Sequence, residues 1–255
     1  MKESLNKAIR LLERNKSLEL KLVRNEPASR IAVVSGRHDK IEELLDAAHI
    51  PYENHTLRDL LYCDQAYILP EVIFINSQKY PKDNERTAML RDYVAQGGRL
   101  VTTDWALTAV LDAFPEYVKT SIQLSRIKFP ITSANDIGAR LLGKNIINET
   151  PNWWFETARY AICANPDKPV IPLLVTKSSN ELVAFGLKYG KGEIIHFCNT
   201  FSFPNNVYAS VLDYYSEVHA VLFLSANFKM LEQHIYKKNR QVCLLAGNED
   251  DSSKL

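Results

Sequence analysis

Short runs of consecutive apolar residues alternate along this chain with stretches whose apolar residues recur at helical spacing. Continuous apolar runs are typical of strands buried on both faces, as in a parallel sheet. A helical pattern follows each of the first three runs, and strand–helix alternation predicts an α/β fold. The runs are 31–34, 72–75, 100–103 and 194–198, and the helical patterns are 41–48, 85–96 and 105–114.

Weaker patterns complete the prediction. Residues 52–56 predict a short strand and 57–61 a helical turn. The stretches 171–176, 182–186 and 194–198 are joined by short turns, which predicts antiparallel pairing. Two more helical patterns lie at 207–226 and 230–236.

The chain divides into an N-terminal helix, one domain and a tail. Residues 1–26 carry Leu5, Ile9 and Leu12 at i, i+4 and i+7, so this helix either docks on the domain or binds a partner. Residues 27–240 form a single domain with an irregular insertion at about 115–165. The polar residues 241–255 are expected to be a disordered tail.

Charge and cysteine spacing exclude several classes of function. The 31 lysines and arginines nearly balance 30 aspartates and glutamates, which disfavours a nucleic-acid partner. No apolar run is long enough to span a membrane, and the charged N-terminus lacks the apolar core of a secretory signal. The four cysteines lie far apart without a C-x-x-C pair, so we expect no metal site and a cytoplasmic location. No cofactor motif is present.

Polar residues follow the predicted parallel strands. Because the carboxyl ends of such strands meet at one edge of the sheet, these residues predict a ligand-binding crevice. Each also suits a local role, with Asp104 as the N-cap of helix 105–114, Asn76 and Ser77 in a turn, and residues 35–39 at the entry to a helix. The candidates are Ser35, Arg37, His38, Asn76, Ser77, Asp104, Asn199 and Thr200.

Asp104 and His38 form the one pair in this set that suggests catalysis. Asp104 could act as a general base or nucleophile with His38 as its acid–base partner, provided that the side chains lie within hydrogen-bond distance.

A cluster of aromatic residues lies in the insertion. Trp153, Trp154 and Phe155 either cover an open edge of the core or form an exposed partner-binding surface, since Trp is enriched in interface hot spots.

Two segments carry a family resemblance. Residues 93–101, Tyr-Val-Ala-Gln-Gly-Gly-Arg-Leu-Val, resemble the F-V-x-x-G-G-x-L-V segment of the class I glutamine amidotransferase-like superfamily, in particular its ThuA-like branch. Residues 187–195 are similar to the hairpin and last strand of those domains. The resemblance implies a flavodoxin-like three-layer sandwich, with a mostly parallel central sheet and an antiparallel C-terminal strand extension.

The residues that carry amidotransferase chemistry are missing from the matching positions. Active members have a nucleophilic Cys where this chain reads Thr103-Asp104-Trp105, and a His-x-Glu pattern where it reads Cys198-Asn199-Thr200. His196 lies two residues early, within the strand. Without a thiol and a neighbouring imidazole, hydrolysis of glutamine through a thioester has no route.

A scaffold without the triad implies a non-catalytic role. We expect a protein-interaction or adaptor subunit of a multi-component cytoplasmic system, bound to another protein or to a second copy of itself. The alternative is a small-molecule or sugar-related binding protein or hydrolase that uses the crevice around Asp104.

Overall fold

The structure is a computed structural model that describes most of the predicted domain. The described residues are 10, 13, 21, 23–36, 39–61, 69–124, 128–134, 152–154, 159–177 and 182–198.

Helices and strands alternate in the first half of the described chain, and strands dominate the second half. Two short 3-10 helices, Ala28–Arg30 and Asp104–Ala106, precede the first strand and follow the fourth. The helices are α1 (Ile41–Ala47), α2 (Leu57–Leu61), α3 (Asn84–Ala95) and α4 (Leu107–Ala113). The strands are β1 (Ile31–Val34), β2 (Glu53–His55), β3 (Val72–Ile75), β4 (Arg99–Thr103), β5 (Val118–Leu124), β6 (Lys128–Ser133), β7 (Asn152–Trp154), β8 (Arg159–Ala164), β9 (Val170–Thr176), β10 (Leu182–Tyr189) and β11 (Gly192–Phe197).

The centre of the sheet is parallel. Its strands lie in the order β2-β1-β3-β4-β11, and each neighbouring pair runs in the same direction. Every residue of β1, β3 and β4 is buried, as expected for strands covered on both faces. The predicted α/β flavodoxin-like sandwich is therefore confirmed.

An antiparallel region extends the sheet beyond β11. β10 pairs antiparallel with β11 and with β9, which confirms the predicted strand extension. The region continues through β6 to β7 and includes a β5–β8 pair that joins β10. It is therefore larger than the sequence pattern predicted.

The stretch 115–165 contains more regular structure than the predicted irregular insertion. Four strands, β5 to β8, lie within its described residues. β5 pairs with β8, which begins 35 residues after β5 ends, since Leu124 lies opposite Arg159. β5 reads Val-Lys-Thr-Ser-Ile-Gln-Leu, which lacks the unbroken apolar run that identified β1 and β3, and this explains the difference.

Several predicted elements lie outside the described residues. These are most of the N-terminal helix with Leu5, Ile9 and Leu12, the helical patterns 207–226 and 230–236, and the tail 241–255. Near the end of the N-terminal helix, Val23 is fully buried in the core. Among the helices that the structure describes, none has the length and hydropathy needed to cross a bilayer.

The C-terminus of α3 packs directly against the β10–β11 turn. The α3 helix stops at Gly97, which has φ +120°, and the Gly98 amide donates to the Tyr93 carbonyl at 3.0 Å. The Lys191 amide in the turn donates to the Ala95 carbonyl at 3.0 Å. The two segments are so close that a Cβ on Gly192 would lie 2.2 Å from the Val94 carbonyl oxygen.

We predict that Gly192→Ala lowers the free energy of unfolding by about 2 kcal/mol, because the added methyl group would overlap backbone atoms that cannot move independently. Urea denaturation of the purified chain measures the change. Gly186→Ala is the matched control, since a Cβ there meets no atom closer than 3.7 Å. Equal stability of the two variants would contradict the packing described here.

Candidate functional site

Four of the predicted site residues lie at one edge of the sheet. Ser35 follows β1, Asn76 and Ser77 follow β3, and Asp104 follows β4. Because these strands are parallel neighbours, their carboxyl ends lie side by side. The structure thus brings together residues that are separated by up to 69 positions in the chain.

Asp104 occupies a sharp turn between β4 and the following 3-10 helix. Its backbone has φ +47°, in the left-handed region that side chains other than glycine rarely adopt. Aspartate is one of the few residues that tolerate this conformation. Its side chain is 4% exposed, so the turn places a carboxylate inside the protein.

The Asp104 carboxylate binds a side chain from the neighbouring strand end. The Ser77 hydroxyl donates to Asp104 Oδ2 at 2.7 Å, and both residues are buried. The predicted capping role of Asp104 is wrong: the N-cap positions of the 3-10 helix and of α4 are Thr103 and Ala106, and neither makes a side-chain cap. Asp104 instead joins β4 to β3.

Asn76 joins β3 to α1. Its amide nitrogen donates to Glu42 Oε2 at 2.6 Å, and its Oδ1 accepts from the Ile41 backbone amide at 3.4 Å. Ser35 Oγ lies 3.3 Å from Glu42 Oε1, so Glu42 connects the ends of β1 and β3. Asn76 is fully buried, and these bonds satisfy both ends of its side chain.

Gly36 keeps the two strand ends in contact. A Cβ at this position would lie 2.8 Å from both Asn76 Cβ and the Ser77 carbonyl oxygen. The backbone after β1 therefore packs directly on the turn after β3, and no space for a ligand separates them. We call Ser35, Glu42, Asn76, Ser77 and Asp104 the strand-end cluster.

Glu42 and Asp39 are further polar residues at this edge that were not predicted from the sequence. Asp39 is fully buried just before α1, where its Oδ1 accepts from the Lys40 amide at 2.9 Å. An acid in the first turn of a helix that follows a buried strand is a signal that could have identified Glu42. Within the described residues, no three His, Cys, Asp or Glu side chains are placed to hold a metal ion.

The structure describes only the backbone of some of the other predicted site residues and leaves the rest out. Arg37, His38, Asn199, Thr200 and Phe155 are outside the described residues, so the proposed Asp104–His38 pair stays a prediction. The backbone of Trp153 and Trp154 lies in β7, opposite Phe129 and Lys128.

His196 lies within β11, as the sequence indicated, and it is fully buried. Its Nδ1 lies 2.8 Å from the Thr102 hydroxyl on β4, and its ring packs on Phe185 at a centroid distance of 5.4 Å. Burial lowers the pKa of His196 to about 3. A neutral, enclosed imidazole of this kind joins strands and is poorly placed to exchange protons with a substrate.

The strand-end cluster can orient hydroxyl and amide groups, but Ser77 and Asp104 are enclosed, whereas Ser35 is exposed. A carboxylate that accepts a hydrogen bond from a serine hydroxyl resembles the base–nucleophile pairs of hydrolases. Ser77 has no exposed surface and Asp104 almost none, so a substrate would need to displace neighbouring atoms to reach them.

No family model matches the chain, and no curated protein matches it in sequence. Solved structures do match. The cytoplasmic protein STM1381 from Salmonella typhimurium LT2 is 14% identical with a TM-score of 0.53, and the match covers 79% of this chain and 98% of that one. At this identity the likeness shows the fold alone.

Other structural neighbours have different lengths and descriptions. A ThuA-like protein from Bacteroides uniformis ATCC 8492 is 11% identical with a TM-score of 0.49, and 79% of this chain covers 91% of it. Gan42B, a GH42 β-galactosidase from G. stearothermophilus, is 13% identical with a TM-score of 0.44 over 68% of this chain. The chain spans 27% of the length of that enzyme.

We predict that acid destabilises the fold through His196. Its pKa is near 6.5 in the unfolded chain and about 3 in the folded one, so unfolding takes up a proton below pH 6.5. The free energy of unfolding should fall by about 2 kcal/mol between pH 7 and pH 5 from this group. Denaturation at both pH values measures the fall.

His196→Asn provides the comparison, because Asn can still hydrogen-bond to Thr102 but does not titrate. Its stability should change less between pH 7 and pH 5 than that of the parent chain. The same fall in both proteins would show that His196 is not responsible.

Proposed function

We propose that this chain is a non-catalytic scaffold of amidotransferase-like architecture that acts as a protein-interaction or adaptor subunit in a multi-component cytoplasmic system. The observation that carries the proposal is the Ser77–Asp104 hydrogen bond inside the closed strand-end cluster. Asp104 stands where the resemblance places a nucleophile, and its carboxylate is buried against the neighbouring strand end.

The rest of the strand-end cluster supports the same proposal. The side chain of Asn76 is engaged at both ends, and Gly36 packs on the turn that contains Ser77. In a ligand site, a few polar groups converge on a preformed concave cavity. Here the polar groups hold three strand ends together, which is the behaviour of a structural network.

A second candidate function is a small-molecule or sugar-related binding protein or hydrolase that uses Asp104. The observation that favours it is the left-handed backbone of this residue. Non-glycine residues in such conformations cluster at active sites and ligand-binding turns. In that case the carboxylate would contact the ligand after a local rearrangement of the turn.

The variant Asp104→Asn separates the two functions. Asn tolerates a left-handed backbone and can still accept the Ser77 hydrogen bond, so the free energy of unfolding should fall by less than about 1 kcal/mol. Asp104→Ala loses both the tolerance of a left-handed backbone and the Ser77 hydrogen bond, so its free energy of unfolding should fall by about 2 to 3 kcal/mol. Chemical denaturation measures both values.

The biological readout is complementation of a deletion strain by each variant. A scaffold requires the shape of this turn but not its charge, so Asp104→Asn should complement like the parent chain. Loss of complementation by a folded Asp104→Asn protein would instead favour a ligand-binding or catalytic carboxylate. Removal of a general base typically lowers the reaction rate by about 100-fold or more.

The adaptor role is tested by the size of the native assembly. Lysate from cells that express the tagged chain at its natural level is separated by gel filtration, with and without chemical cross-linking. We expect the chain to elute in a complex larger than a monomer or dimer of itself. Elution strictly as an unpartnered chain would contradict the adaptor role.

A further inference from the structure

A groove of about 730 Å³ lies at the opposite edge of the sheet from the strand-end cluster. It is formed where β3, β4 and β11 begin, beside the C-terminus of α3. The residues that determine its character are Leu69, Glu71, Arg99, Lys188, Lys191 and Glu193.

Both carboxylates in the groove form ion pairs with arginines. Glu71 accepts from the Arg30 guanidinium at 2.7 Å through both of its oxygens. Glu193 pairs with Arg99, whose side chain is only 7% exposed. Arg30 also pairs with Glu26, so its charge is shared between two carboxylates. Among the residues that line the groove, the three cations Arg99, Lys188 and Lys191 exceed the two carboxylates by one charge.

Both lysines at the groove, in contrast, have no counter-ion within the part of the chain that the structure describes. Lys188 and Lys191 are exposed, at the end of β10 and in the turn before β11. Neither side chain makes a hydrogen bond or an ion pair with a described residue. With the carboxylates paired, the lysines give the groove a net positive charge.

The helix end beside the groove does not neutralise this charge. The carbonyls of Tyr93, Val94 and Ala95 would attract a cation if they were free, because the C-terminus of a helix carries partial negative charge. They accept instead from the amides of Gly98, Gly97 and Lys191. The lysines therefore remain available to an anionic partner.

An apolar side chain lies in the same groove. Leu69 is 38% exposed, and among the described residues it is the one large hydrophobic side chain with this degree of exposure. An exposed leucine beside positive charge provides a contact for an apolar side chain of a ligand that also carries carboxylates.

We propose that this groove binds an acidic, extended segment of a partner protein that places a large apolar side chain against Leu69 and carboxylates against Lys188 and Lys191. This proposal rests on the proposed adaptor function and identifies the surface to which the partner would bind. A partner protein fits the groove better than a small free anion does. The lysines are exposed charges of the kind that steer macromolecular association, whereas small-ligand sites use a few enclosed polar groups.

The test uses charge reversal with a matched control. Lys188→Glu with Lys191→Glu reverses the charge of the groove. Lys79→Glu with Lys82→Glu makes the same change, with the same spacing, at exposed lysines between β3 and α3. All four side chains are exposed, so both double variants should melt within a few degrees of the parent chain.

The probe is a fluorescein-labelled octapeptide of six glutamates and two central leucines, and its binding is followed by fluorescence anisotropy. The groove variant should bind at least about 10-fold more weakly than the parent chain, and the control variant within about 2-fold of it. A peptide with glutamine in place of glutamate should bind as weakly to the parent chain as the acidic peptide does to the groove variant. Absence of binding to the parent chain, or equal binding by the two double variants, overturns the proposal.

Gel filtration of cell lysate keeps this proposal separate from the adaptor function. If the parent chain elutes in a complex and the groove variant elutes alone, the groove is the contact. If both elute in the complex, the groove proposal fails and the adaptor function stands. If the parent chain itself elutes alone, the adaptor function fails.

Discussion

The pairing of β11 with β4 connects the two halves of this protein. β11 is the last parallel strand, and on its other side it is antiparallel to β10. Its register, from Glu193 beside Arg99 to Phe197 beside Thr103, sets the position of the antiparallel region relative to the parallel one. The close approach of Gly192 to the end of α3 is what allows β11 to reach this place. The groove at the opposite edge, which Arg99 and Glu193 line, depends on it.

The sequence predicted well the features that depend on residues close together in the chain. β1 and β3 have the predicted bounds because each is an unbroken apolar run that ends at polar residues. The helix stop at Gly97 was predicted because only a residue without a Cβ adopts such a backbone readily. The hairpin of β10 and β11 was visible because its turn is short and rich in glycine.

Features that depend on distant residues were not predictable in the same way. Asp104 is of a residue type that commonly caps helices, yet its hydrogen-bond partner Ser77 lies 27 residues earlier in the chain. Glu42 belongs to the strand-end cluster because α1 packs beside the end of β3, a contact that the local sequence does not reveal. The β5–β8 pair likewise depends on contacts across the intervening chain. In each case the local pattern was compatible with several structures, and tertiary packing selected one of them.

The short outer strand β2 restricts how this protein can assemble. It lies at the end of the strand order, contains three residues, and presents a Glu, an exposed Asn and a His. A brief, polar edge of this kind offers few backbone groups for another chain to extend the sheet, which protects against edge-to-edge aggregation. Any assembly on this side of the molecule would therefore be built from side-chain contacts, with each protein keeping its own sheet.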